Sequence, residues 1–453
     1  YQQKEISDIQ KQKAEQQTRI ADQMRINAEF EKERAVAAQQ TALEAYAQME
    51  TQKEIAEAQK KEAVQAQLKA DSLAHLALAR SLGSQASTQF AAGYTDLARL
   101  LCYASWKFSA QNKENLYQPE IFNALSSTSE MSKQWNIHIG SIRDIICHSE
   151  AGKDYLVTAS QYGEIALWQI HPSGNVTLKK EIIADSRYDF RRLQIDAERK
   201  GLIALSYSGQ ILYIDSLFHT TQIDLNLVAP IGIEYLSDAW VVACKSGEIF
   251  KISLTNGSSV LLYKHPHALT TFAKSRQEIL LGDSQGGLFR LNPNGTTLEL
   301  WKGIRQPITA IYKDQGIFAL GYENGRIIIG NLEKGTMEEL VGHLSRITCL
   351  QLVNKRLFTS SYDGTVRLWN LGKDNKVGSF VVAEQKNWIY VFRIENDRNL
   401  LITGNGKGEL CISSISPEVM AETIREKLSR NFTKEEWNYY IGELSEYETF
   451  MQE

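Results

Sequence analysis

The chain has 453 residues, of which 43% are hydrophobic, and a formal net charge of −4 from 50 basic and 54 acidic residues. That is chain enough for about three domains with ordinary cores, while the near-balanced charge excludes a general nucleic-acid binder, which needs a basic surface. Five scattered cysteines without a CxxC pair exclude a disulfide framework, and no apolar run approaches the ~18 residues of a membrane-spanning helix. No signal peptide opens the chain. It begins on Tyr1 rather than Met and reads as an excerpt of something longer. The expected compartment is a reducing cytoplasm, and any membrane tether would lie before Tyr1.

Residues 1 to 82 contain neither Gly nor Pro and are rich in Gln, Ala, Glu and Lys, all good helix formers. An unbroken helix here would be roughly 120 Å long. Ile6, Ile9, Ile20, Met24, Leu43, Tyr46, Met49, Ile55, Val64 and Leu68 recur at threes, fours and sevens only in patches. Residues 1–67 are therefore expected to be a long helix, either a coiled-coil stalk that makes a homo-oligomer or a lone spacer. Residues 68–130 read as a helical neck. The first helix is expected to break at Gly83, a second to start at Thr95 or Asp96, and a third near Pro119, a residue suited to the first helical position.

From about residue 131 to 415 the texture changes to five- or six-residue runs of alternating apolar and polar residues, an all-β signature. The pattern repeats. Its clearest unit is Val341-Gly342-His343, Ile347 to Leu350, Leu357 to Ser361, Tyr362-Asp363-Gly364 and Thr365 to Asn370. Glycines at 163, 209, 247, 287, 325, 364 and 408 mark seven copies of about 40 residues. Four strands per copy make a propeller of seven blades. The last copy supplies three strands, and Lys133 to Ile139 is expected to close the ring as its fourth, which removes two free sheet edges.

The unit at 341–370 resembles the WD-repeat family almost residue for residue. The resemblance implies a buried hydrogen-bonded set of His343, Thr359 or Ser361, Asp363 and Trp369. The other units lack most of it, and only the first keeps a tryptophan, Trp168.

The chemistry-bearing motifs are sparse. Gly404-Asn405-Gly406-Lys407-Gly408 sits at a strand-to-strand turn and is no phosphate loop. His265 and His267 flank Pro266, and two ligands alone do not make a metal site. No nucleophile elbow or paired histidine motif occurs, so no catalytic residue, cofactor or metal is expected. Strands of a blade run antiparallel, so the loops between units and the loops after each second strand share one rim. That rim carries Tyr162, Arg187, Tyr207, Arg305, Tyr322, Arg346, Tyr362 and Trp388, residue types that dominate binding hot spots. Its basic cast favours an acidic protein partner.

Residues 416–453 read as a helical tail. Ser416-Pro417-Glu418 starts one helix, and Thr433 with Glu435 and Glu436 outlines a capping box for a second. Asn431 to Trp437 resembles the ending that follows WD-repeat arrays in bacterial STAND-type signalling proteins, and residues 73–106 resemble the segment before those arrays. The resemblance implies a non-catalytic interaction module, the sensor or recognition part of a larger bacterial signalling or defence protein. The alternative is a structural scaffold whose coiled-coil stalk holds propeller heads in a membrane- or envelope-associated assembly.

Overall fold

In a computed structural model, the structure describes residues 2–111, 116–150, 153–171, 175–236, 238–275, 278–292, 294–314, 316–331, 334–371, 378–395 and 398–451. The chain divides into two compact units, Tyr1–His75 and Leu76–Glu453.

The first unit is helical. Its described residues belong to helix α1, Gln2–Ala91, and every side chain from Lys4 to Asp71 is exposed. The exposed Met24, Ile26 and Val36 fall on different sides of a helix with 3.6 residues per turn, so they form no single apolar stripe.

In the second unit α1 does not break at Gly83, as the sequence suggested, but continues to Ala91. A Cβ at Gly83 would lie 2.7 Å from the carbonyl oxygen of Glu120. This glycine lets two helices approach closely; it does not end one. The real stop is Gly93, at φ +89°, where the Tyr94 amide donates back to the Gln89 carbonyl at 2.9 Å, as in a Schellman-type end. Helices α2 (Thr95–Gln111) and α3 (Pro119–Ser129) follow. Helices α4 (Pro417–Glu426) and α5 (Lys434–Tyr440) come after the sheets. Thr433 and Glu436 form the complete capping box of α5. One apolar core joins Leu82, Leu101, Phe122, Ile424 and Trp437 of these helices to Phe380 and Phe392 of the last two blades.

Residues 133 to 414 form seven four-stranded antiparallel sheets. The first strands of successive blades touch one another around the axis: Ile142–Glu150, Phe190–Asp196, Pro230–Leu236, Leu269–Ser275, Ile308–Asp314, Ile347–Val353 and Ile389–Glu395. The ring closes in the seventh blade, where Lys133–Asn136 pairs antiparallel with Glu409–Ser414, Trp135 opposite Leu410. In blade four the turn glycine is Gly286, not Gly287. Gly286 takes φ +86°, and a Cβ there would strike the Ile304 carbonyl. With it, the glycines on either side stand an equal distance away in sequence.

One irregularity recurs in all seven blades. The pairing of first and second strands slips after one residue, and the extra residue is Arg143, Arg191, Ile231, Thr270, Thr309, Thr348 or Tyr390. A bulge leaves its residue unpaired and re-aims the side chain. In blades four to six the bulge residue is threonine, and its hydroxyl donates to the next inner strand, to Ile308, Ile347 or Ile389. Blades seven, one and two instead place Tyr390, Arg143 and Arg191 there.

Candidate functional site

The rim loops are fastened from below by buried polar sets. In blade six His343 Nδ1 lies 2.8 Å from Asp363 Oδ2, and Nε2 lies 2.7 Å from Thr359 Oγ1. Trp369 Nε1 donates to the same Thr359 hydroxyl at 2.9 Å. Thr359, rather than Ser361, is the bridging hydroxyl; Ser361 donates to the Ser345 carbonyl instead. Burial pushes the Asp363 carboxyl up, but bonds from His343, the Leu344 amide and Thr365 outweigh it and hold the group far below the usual carboxylate range.

Two related sets escape the sequence reading. In blade one Trp168 and His138 meet at Thr158 (3.0 and 2.7 Å), and Glu164 stands 3.7 Å from His138. Here the acid follows the turn glycine instead of preceding it, which hid the set. In blade four His265 Nε2 lies 3.0 Å from Asp283 Oδ2. The signal that finds them is position. His138, His265 and His343 each stand four residues before the first inner-strand residue, Ile142, Leu269 and Ile347. His265 is thus a buried structural histidine. Among the described residues no group of three or more His, Cys, Asp or Glu side chains is placed to hold a metal ion, and all five cysteines are unpaired.

Above these sets the structure brings Arg346, Tyr362 and Trp388 together. Tyr362 and Trp388 stack with ring centroids 5.0 Å apart and planes 14° apart. The Arg346 guanidinium lies 5.8 Å from the Tyr362 centroid and pairs with Glu323. Two bulge residues that sequence reasoning missed extend the group. Tyr390 meets Tyr362 edge-on at 5.0 Å, and the Arg143 guanidinium sits 3.9 Å over the Tyr390 ring. Their signal is the second position of an inner strand. Trp388 remains 57% exposed, although a tryptophan stacked this way is usually buried. Burial raises the Tyr362 phenol above its ordinary pKa, so it stays neutral and the group's charges are the two guanidinium groups and Glu323.

The remaining rim residues stand apart. Tyr162 is exposed on blade one and lies against Gly140. Arg187, on the loop entering blade two, is engaged by Asp185 at 2.5 Å. Tyr207 carries Arg191 over its ring at 4.8 Å, and Arg191 pairs with Asp189 at 2.6 Å. Arg305 is exposed on the loop entering blade five. Tyr322 is not on the rim at all. It is the last residue of its strand, opposite Ile308, and is fully buried. Gly303 leaves the space for its ring, since a Cβ there would lie 2.5 Å from the phenol oxygen.

This geometry has solved counterparts. The WD40 β-propeller domain of Doa1 superposes with a TM-score of 0.52 at 15% identity, covering 63% of this chain and 96% of that one. U3-55K gives 0.51 at 16% identity, covering 63% and 98%. Sqt1 of Saccharomyces cerevisiae gives 0.51 at 13% identity, covering 62% and 98%. The chain shares the fold of the Doa1 WD40 β-propeller. No family model matches the sequence. A curated protein of Neurospora crassa, a probable E3 ubiquitin ligase complex SCF subunit scon-2, is 31% identical over 87 residues, which are 18% of this chain and 12% of that protein's length. Among the described residues no helix is long and apolar enough to cross a membrane.

Proposed function

We propose that this chain is a non-catalytic recognition module that holds a protein partner on the rim of blades six, seven and one. It would be the sensor part of a larger bacterial signalling or defence protein, acting in the cytoplasm. The observation that carries the reading is the Arg346–Tyr362–Trp388 stack, rigid from below and open above. Aromatic and arginine side chains held in one geometry supply contact area at little entropic cost. The cations Arg305 and Lys386, exposed on the same rim, favour an acidic partner. Residues 68–130 and 416–453 would serve as neck and tail, since their helices share a core with blades six and seven. A partner on these two blades would bear on the elements that lead toward Tyr1.

A second reading draws on α1. A helix with so many exposed apolar residues suits a shaft that pairs with other copies and holds propeller heads in an envelope-associated scaffold. A photo-reactive amino acid at position 388 tests the first reading, with one at Leu217, which is exposed at the hairpin between the third and fourth strands of blade two, as control. The expected result is a specific cross-linked protein from position 388 alone, lost on adding Arg346→Ala while the melting temperature holds. Equal labelling from both positions would overturn the reading.

A further inference from the structure

Arg143 differs from three other arginines of the rim. Arg187, Arg191 and Arg346 each lie against a carboxylate, of Asp185, Asp189 and Glu323. Arg143 has no carboxylate within ion-pair distance among the described residues. Its Nη2 donates to the neutral Gln161 Oε1 at 2.5 Å, and its guanidinium rests on the Tyr390 ring at 3.9 Å. Its Nε is buried without a partner, and Nη1 makes no hydrogen bond among the described residues. An amide and a ring orient this cation without neutralising it. The bulge in the first strand of blade one leaves Arg143 out of the ladder and re-aims its side chain. A half-buried charge of this kind interacts more strongly with an incoming ion than an exposed one does.

The exposed indole of Trp388 is close by. Its centroid lies 6.5 Å from that of Tyr390, which places the Arg143 guanidinium within about 10 Å of it, the reach of two or three residues of extended peptide.

We propose that Arg143 is a seat for a carboxylate side chain of an extended peptide, and that an apolar or aromatic residue two or three positions away lies on the open face of Trp388. The inference rests on the reading of this rim as the partner-binding face and adds the partner's chemistry. A carboxylate fits better than a nucleic-acid phosphate track. A track needs several open cations in a row, whereas in this cluster Arg346 is already paired with Glu323 and, among the described residues, only the Arg143 guanidinium lacks a carboxylate, on a chain of net charge −4.

The test is panning of a phage-displayed library of random octapeptides on the full chain and on Arg143→Gln, Arg143→Lys and Trp388→Ala, each checked for an unchanged melting temperature. The wild type should enrich peptides with Asp or Glu two or three residues from Leu, Phe, Tyr or Trp. A synthetic copy of the best peptide should bind Arg143→Gln about tenfold or more weakly, the worth of a charge-assisted hydrogen bond, while Arg143→Lys retains much of the affinity. Raising the salt should weaken the wild-type complex, a readout independent of how any variant folds. Peptides lost on Trp388→Ala that carry no acid preference, or an acid preference that survives Arg143→Gln, would overturn the carboxylate seat and leave the rim standing. Peptides indifferent to Trp388→Ala would overturn the rim reading as well. Arg143-dependent binding of a twenty-nucleotide oligothymidine in place of acidic peptides would overturn the peptide assignment.

Discussion

Arg393 Nη2 lies 2.8 Å from Asp144 Oδ1, and through that bond the last repeat of the ring grips the first. The same carboxylate accepts the Leu193 amide of blade two at 3.0 Å through Oδ2, so one buried side chain ties three blades. Below it Arg398 of blade seven donates to the carbonyls of Ile170 and His171 in blade one (3.3 and 3.2 Å) and pairs with Asp154. These bonds flank the seam where the two ends of the propeller chain meet.

Asp144→Ala should therefore loosen the closure itself. It strands a guanidinium and an amide, and breaking a buried pair typically costs about 3–5 kcal/mol. The Arg393 side chain keeps about a third of its surface in water, so the low end of that range is expected. Urea unfolding of the variant measures it, and amide exchange should speed up in Lys133–Asn136 before it does in blades three to five. A loss spread evenly over all blades would refute the latch.

The blade count was legible because each blade must turn through a left-handed residue between its second and third strands. Only the glycine marks survive in the degenerate repeats. The closing strand was legible by inventory, since Lys133–Ile139 had no partner of its own and the last repeat lacked a strand. The aromatic–arginine cluster was half legible. Residue type pointed to Trp388, Tyr362 and Arg346, but Tyr390 and Arg143 look like ordinary inner-strand residues until the bulge takes them out of the ladder and into the ring contacts of Tyr390 with Tyr362 and of Arg143 with Tyr390. Tyr322 misled for the opposite reason, because its place beside a turn in sequence says nothing of the cavity that Gly303 leaves for its ring. The break expected at Gly83 failed because a glycine needed for helix–helix contact looks in sequence like one that ends a helix.

Asp363→Ala should destabilise the propeller by about 1–3 kcal/mol, since it leaves the His343 N–H and the backbone amides of Leu344 and Thr365 without their acceptor. The folded-state pKa of Asp363 is depressed. Its contribution is therefore present above the unfolded value near 4 and is lost as the pH falls below that. The gap between wild type and variant should accordingly shrink in acid-titrated urea melts. A variant as stable as the wild type at pH 7 would contradict the assigned set.

Glu234 should act with the opposite sign. Burial raises its pKa to about 7, against the attraction of Arg192 and Lys274. The folded state then binds more protons than the unfolded state between the two pKa values. Stability is fully present below the unfolded pKa of about 4.3 and falls as the pH rises towards 7. Glu234→Gln should remove that fall and leave the variant about 1–2 kcal/mol more stable than the wild type at pH 8, allowing for partial solvent access. At pH 4 the advantage should vanish. The buried His138 has a lowered pKa and works the other way, costing stability as the pH falls below about 6.5, so the comparison must be variant against wild type at each pH.

Helix α1 makes the last prediction. Ile6, Ile9, Ile20, Met24, Ile26, Phe30, Val36, Leu43, Tyr46 and Met49 are each more than half exposed, a density of apolar surface that single solvated helices rarely carry. Pairing with a second copy would cover part of it. No sustained heptad seam runs through them, so the association should be weak. Light scattering should show a mass that rises with concentration for the full chain and a monomer of constant mass once residues 1–67 are removed. A monomer in both cases would make α1 a spacer, and recognition would then rest on the rim alone.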